Sequence, residues 1–486
     1  MSRYPLISRL CFVVLLMAST TGLVDGVAYA RAPAQEPSPA ASSPATAPPV
    51  EAADGGGTPA DDVATASESL PGDAPEVAGE GGAGEGGAEP ESHELTEEEK
   101  KEIAELSGQA YDEFEQSVKQ LTDYLMNMRE IHVKFADEVD QSKAAKERFS
   151  EQRILAHQQL RKTYRKAMGV VQYANVSPER TQIETAARFM VTLLQNYSGL
   201  SIYDEEVLQG AEQMIFIGTN YNYLVQAAGR SAMVTGYFDQ GKRWLEMLDE
   251  EHRDQVDHNL LGSIELLREQ WEIEQERFKR DAGKQLPRVR IKTSRGEFVM
   301  ELYLDDAPST VSHFIRLCEK GYFNGLDFYQ VIDDLLALAG DQSSAAGGGE
   351  KLLVDEHANP SARHALRGSV LMAKYPIPGT GKFVPNTGGS QFAILMLPAP
   401  IASQQQTVFG RVVEGMDVVC TLRRVDPSKE KKKGEVSVPP DYILSTEVMN
   451  RPETLPESVY FDPANAGEFG QHAGHDHGPS PAAPVN

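Results

Sequence analysis

Apolar residues recur every three or four positions through Ile103, Leu106, Ala110, Phe114, Val118, Leu121, Leu125 and Met128, the period of one buried helix face. Thr96-Glu97-Glu98-Glu99 opens that helix as a capping box, with carboxylates at the positive end of its dipole. A second amphipathic stretch covers about 143–174, and Ser177-Pro178-Glu179-Arg180 restarts a helix, since Pro is tolerated in a first turn. Shorter helical segments are predicted at about 180–197, 204–217, 221–235, 238–250 and 255–282. The period changes at Pro287. Arg288–Thr293 alternates, Ser294-Arg295-Gly296-Glu297 turns, and Phe298–Tyr303 alternates again, which predicts a β-hairpin. Asp306-Ala307-Pro308-Ser309-Thr310 is expected to cap a helix bearing Val311, Phe314, Ile315 and Cys318. Short strands follow at about 327–332, 368–373, 391–396, 407–413 and 442–449, with a short helix near Asp417–Leu422. Many short strands, Gly turns and two helices predict a closed barrel with helical caps.

The pattern therefore divides the chain into an all-α region at 94–284 and a β-rich domain at 285–455, a multidomain α plus β architecture. Within the first, Ala228, Gly229 and Ala232, the turn Gly236-Tyr237-Phe238-Asp239, and Gly241, Leu245 and Leu248 resemble part of one tetratricopeptide-type repeat. Three clean copies are not found, so a helical bundle and a degenerate helical repeat both stay open. Either offers a surface for a protein partner.

Ahead of the helices, residues 1–30 carry a secretory pattern. Arg3 and Arg9 precede the apolar run Leu10–Ala18, too short to span a bilayer, and Ala28-Tyr29-Ala30 offers a small-x-small cleavage site. Residues 31–93 are Ala, Pro, Gly, Ser and Glu, the composition of a disordered acidic linker. Residues 456–486 read as a disordered tail. This predicts an exported protein, periplasmic, envelope-associated or secreted, with no transmembrane segment once the signal is removed.

Formal net charge is -26, from 72 acidic and 46 basic residues, which argues against a nucleic-acid partner because a phosphate binder needs a basic footprint. Cys318 and Cys420, the two cysteines beyond the signal, form no disulfide framework and read as free buried thiols. His472, His475 and His477 in the tail form a tract able to bind zinc, copper or nickel weakly, or simply to solubilise the tail. No cofactor is expected. Lys429–Gly434 (KEKKKG) is a basic turn before the last strand.

Six segments in order give the β-rich domain a resemblance. They are Ile291–Glu297 (IKTSRGE), Ala307–Phe314 (APSTVSHF), Gly321–Phe328 (GYFNGLDF), Arg367–Ala373 (RGSVLMA), Asn386–Phe392 (NTGGSQF) and Val408–Val418 (VFGRVVEGMDV). Over about 287–450 the chain resembles the cyclophilin family of peptidyl-prolyl cis-trans isomerases. The resemblance implies an eight-stranded barrel with a helix at each end, a proline-containing peptide or protein client, and a role in assisting protein folding.

The same resemblance implies that catalysis rests on an Arg whose guanidinium hydrogen-bonds near the prolyl nitrogen and favours the twisted amide, with no covalent step. That position here is Gln330. The family's proline pocket maps onto Leu335, Leu336, Ala393, Ala402 and Gln406, two of them shrunk to Ala. Its backbone-binding Gln and Asn map onto Leu338 and Lys374, and its Trp near the groove onto Ile401. Phe328, Gln391 and the Ala373 backbone position match. Gln391 either contacts peptide or shapes the Gly388-Gly389 turn, and Tyr329 with Gln330 retains the means to orient a peptide. The implied function is an isomerase-family protein with weak or absent turnover. The alternative is a non-catalytic peptide-binding or scaffold module of the cell envelope.

Overall fold

Two periodicities meet at Pro287, and the structure changes class there. It is a computed structural model that describes residues 95–137, 143–341, 351–427 and 439–461. The signal and linker at 1–93, the basic turn 429–434 and the tail histidines His472, His475 and His477 lie outside the described residues.

The helical region runs α1 Glu97–Asp137, α2 Lys143–Val171, α3 Arg180–Gly199, α4 Glu205–Phe216, α5 Asn222–Thr235, α6 Phe238–Glu246, α7 Gln255–Gly262 and α8 Ile264–Asp281. The periodic residues Phe114, Val118, Leu121, Leu125 and Met128 are buried, so the 3.6-residue stripe is the packing face of α1. Asp204 caps α4 by accepting from the Val207 N–H at 2.9 Å, and Asp254 with Asp257 forms a capping box on α7. The α5–α6 hairpin closes on glycine. A Cβ at Gly229 would sit 2.6 Å from Leu245, and one at Gly241 would sit 3.0 Å from the Gly229 carbonyl, so only glycine lets these backbones approach.

The β-rich domain contributes β1 Arg288–Thr293, β2 Glu297–Leu302, α9 Pro308–Glu319, β3 Gln330–Ile332, β4 Leu336–Ala339, β5 Ser369–Met372, β6 Pro376–Ile377, β7 Lys382–Phe383, β8 Phe392–Leu395, β9 Val408–Glu414, α10 Met416–Cys420 and β10 Ile443–Met449. Eight strands form one antiparallel sheet in the order β10-β1-β2-β9-β5-β8-β4-β3, and β6 and β7 form a separate hairpin. The expected closed barrel is corrected to a sheet whose ladder ends at β3 and β10. β3 is only three residues long. The chain before it reaches β10 instead, with the Gly325 N–H donating to Ile443 O at 2.7 Å and the Phe328 N–H to Asp441 O at 2.8 Å. The α9 cap also differs from expectation. Ala307 makes no side-chain cap; the Glu356 carboxylate, distant in sequence, accepts from the Ser309 and Thr310 N–H groups at 3.0 and 2.9 Å.

Strand alternation separates two faces. On the inner face Phe314 of α9 meets Phe323, Phe392 and Phe409 at ring separations of 5.0, 5.4 and 5.1 Å. Cys318 and Cys420 are free and buried.

Helices and sheet belong to one compact unit from Glu97 onward. Three arginine hubs join them. Arg161 reaches Asp204 at 2.6 Å and Asp417 of α10 at 3.3 Å. Arg230 of α5 holds Asp257 at 2.7 Å, Asp254 at 2.5 Å and Asp334, beyond β3, at 3.1 Å. Arg363, with no exposed side-chain surface, pairs with Glu274 and Asp281 of α8 and with Asp306, and stacks on the Tyr303 ring at 3.9 Å. Burial alone would raise the Asp281 carboxyl, but Arg280, Lys284 and Arg363 hold it down to about 2. Removing one partner from such a buried cluster costs about 3–5 kcal/mol, because the remaining charges stay buried.

Candidate functional site

Register places three of the predicted site residues, Gln330, Leu338 and Ala393, in one lateral row. Gln330 of β3 pairs with Leu338 of β4, Leu338 with Ala393 of β8, Ala393 with Leu371 of β5, and Leu371 with Val408 of β9. Paired residues on one face have Cβ atoms about 5 Å apart, so these side chains touch across the sheet. A second row, Ile332, Leu336 and Leu395, lies one pleat along. Both rows face outward, since Val331, Ala337, Phe392 and Ile394 between them pack in the inner core. Leu336 and Ala402 pack with Leu371, Leu395 and Val408 in an apolar cluster on this outer face. Ala402 opens the short helical turn Ala402–Gln404, and the Gln406 N–H bonds back to the Ala402 carbonyl at 2.9 Å.

Gln330 is 6% exposed, and its side chain makes no hydrogen bond to another described residue. Gln391 is fixed: its Oε1 accepts from the Tyr329 hydroxyl at 2.7 Å, so its NH₂ is the end that can donate. Burial, with Asp341 and Tyr375 nearby, pushes the Tyr329 phenol well above its ordinary range, so it stays protonated and donates. The Ala373 N–H donates to the Gln391 carbonyl at 2.9 Å. Gly340, at φ +96°, lets β4 end against this point; a Cβ there would strike the Ser390 carbonyl at 2.3 Å.

Two predicted residues do other work. Phe328 is fully buried in the inner core, so it supports the outer row from behind. Lys374 is buried, and its ammonium pairs with Asp355 at 2.8 Å. Asp355 also accepts from the Asn386 N–H at 2.9 Å, so this pair pins 351–357 to the Asn386–Phe392 turn. Leu335 lies half-buried in the β3–β4 turn, where its N–H donates to Ile332 O at 3.2 Å and its carbonyl accepts from Met396 at 2.9 Å. Ile401 is 56% exposed at the rim of the apolar cluster.

Residues from the helical region complete the surroundings. Asp334, in left-handed backbone at φ +53°, is held by Arg230, and its N–H donates to Ser201 Oγ at 3.0 Å. Leu397 packs with Tyr203 and Val234, and Gln270 Nε2 donates to the Pro400 carbonyl at 3.2 Å. A cavity of about 270 Å³ lies farther along, between α8 and β5–β9. Sequence reasoning missed Arg230, Asp334 and Asp355. The one signal for Arg230 was a lone charge inside the small-residue run Ala227–Ala232. The described residues offer one group of possible metal ligands, Asp249, Glu251 and His252, all exposed and on the far helical loop.

This arrangement places apolar side chains beside the amide groups of Gln330 and Gln391. Among the described residues of this row no nucleophile sits beside a base. Residues 288–448 match the family model described as Cyclophilin type peptidyl-prolyl cis-trans isomerase/CLD. The chain is 32% identical over 147 residues to the peptidyl-prolyl cis-trans isomerase-like 1 protein of Neurospora crassa, covering 30% of this chain and 85% of that one. It is 37% identical over 134 residues to the like-named protein of Rhizopus delemar, covering 27% and 76%. Among solved structures, a cyclophilin type peptidyl-prolyl cis-trans isomerase of Cryptosporidium parvum is 26% identical, spans 34% of this chain and 99% of its own, and has a TM-score of 0.28. The family match begins at residue 288, after α8 has ended.

Proposed function

This chain belongs to the cyclophilin-type peptidyl-prolyl cis-trans isomerase family, and from that premise we propose an exported member whose outer groove holds proline-containing segments but isomerises them weakly. The observation that carries this is Gln330, in the outer row at the position of the family's Arg and next to Leu338. A neutral amide donates more weakly than a guanidinium, since charge-assisted bonds are roughly twice as strong. Losing such a donor costs about 2–4 kcal/mol of transition-state stabilisation, roughly 30- to 1000-fold in rate. Ala393 and Ala402 widen the pocket that would grip the proline ring.

Gln391, oriented by Tyr329, supplies the peptide contact in this account, with the Ala373 backbone beside it. The curled antiparallel sheet carries the groove on its outer face in this reading. Export is proposed from Leu10–Ala18 and Ala28-Tyr29-Ala30; among the described residues no helix is long and apolar enough to cross a membrane. The helical region recruits a protein partner or client. The second reading is a purely binding or scaffold module, favoured by a Gln330 side chain that no described residue orients.

A protease-coupled prolyl-peptide isomerisation assay on the full chain tests the proposal. The expected rate is well below that of an ordinary cyclophilin. Activity within about tenfold, a difference near 1.4 kcal/mol, would reject the degraded site.

A further inference from the structure

The β3–β4 turn carries two adjacent aspartates with different partners. Asp333 pairs with Arg424, within the β-rich domain, and is 57% exposed. Asp334 turns toward the helices. Its carboxylate meets Arg230 Nη1 at 3.1 Å, and its N–H meets Ser201 Oγ at 3.0 Å. Arg230 is itself over-determined: Nε bonds Asp257, Nη2 bonds Asp254, and Nη1 also donates to the Tyr203 hydroxyl at 3.1 Å. A planar five-donor fork can serve these acceptors together; a lysine ammonium cannot. The next residue, Leu335, holds a proline-pocket position, and its carbonyl receives the Met396 N–H. Met396 leads into Leu397, which α5 also grips through Val234. Both stretches flanking the pocket therefore rest on the helical region.

We infer that Arg230 is a positioning residue for the groove: through Asp334 it fixes the turn that carries Leu335, so the helical region sets one wall of the peptide site. This rests on the peptide-binding reading of that groove. A left-handed, non-glycine Asp334 persists only where its surroundings hold it, and Arg230 with Ser201 supplies that hold. Anything that moves α5 moves the wall.

The test uses the full chain in three variants, with Arg161→Lys as the control hub, since Arg161 joins helices to α10 and does not touch the turn. Hydrogen exchange at 331–336 and the affinity for a fluorescein-labelled Ala-Ala-Pro-Phe peptide are read beside the melting temperature. Arg230→Lys should speed exchange at 331–336 and weaken the peptide about tenfold. Should Arg230→Lys not fold, Asp334→Asn carries the same expectation, because it leaves Arg230 bonded to Asp254 and Asp257. Arg161→Lys should lower melting and change neither readout. Unchanged exchange in Asp334→Asn, or an equal response in Arg161→Lys, overturns the inference. If the wild-type chain binds no such peptide, the peptide reading falls, and the exchange measurement still decides whether Arg230 sets the turn.

Discussion

Phe392 and Ala393 are chain neighbours on opposite faces of β8. Phe392 packs in the inner core against Phe314 and Phe323, while Ala393 sits in the outer row between Leu338 and Leu371. The inner residues fill a volume that only large apolar side chains satisfy, and they carry the family pattern. The outer face is packed too, with Leu371, Leu395 and Val408 buried there, and it is on this face that the resemblance maps its departures onto Gln330, Leu338, Ala393, Ala402 and Gln406. On β8 the even positions Phe392 and Ile394 thus carry the inner core, while the odd position Ala393 lies in the row where the proposed loss of chemistry is located.

That contrast can be broken at its strong side first. Phe392→Ala should cost about 3–5 kcal/mol in denaturant unfolding, while Ala393→Gly should cost about 1 kcal/mol. Equal losses would erase the distinction between faces. A second inner group gives a pH signature. Burial, with Lys320 and Arg316 nearby, lowers the His313 imidazole from 6.5 to about 4. The unfolded chain takes up that proton first, so the contribution is full above pH 6.5 and is lost as pH falls from 6.5 to about 4, on the order of 3 kcal/mol. A pH series of unfolding midpoints should show this slope, and His313→Gln should flatten it. The smallest effect belongs to the outer side. Tyr329→Phe removes one hydrogen bond to Gln391, so stability should change by about 1 kcal/mol or less while affinity for a prolyl peptide falls.

The same contrast explains what the sequence made legible. Helix periodicity located α1 to α5 within a few residues, because each buries one stripe. The hairpin at Arg288–Leu302 followed from alternation. β4, Leu336-Ala337-Leu338-Ala339, escaped notice because it has no β-branched or aromatic residue, and the β6–β7 hairpin because its strands are two residues each. The candidate site positions came from the resemblance alone, and register joins Gln330, Leu338 and Ala393 into one row. The arginine hubs were not legible: Arg230 and Asp334 are 104 positions apart, and no local pattern links such pairs. Lys374 looked like a groove residue until Asp355 claimed its charge.

The central claim is that the outer row alone limits turnover. The direct measurement is kcat/KM for a prolyl peptide in the full chain and in the double variant Gln330→Arg, Ala393→Phe, with melting checked in both. The account predicts a rise of about 30-fold or more in the double variant. A wild-type rate already equal to an ordinary cyclophilin's, or a folded double variant with no gain, would contradict it.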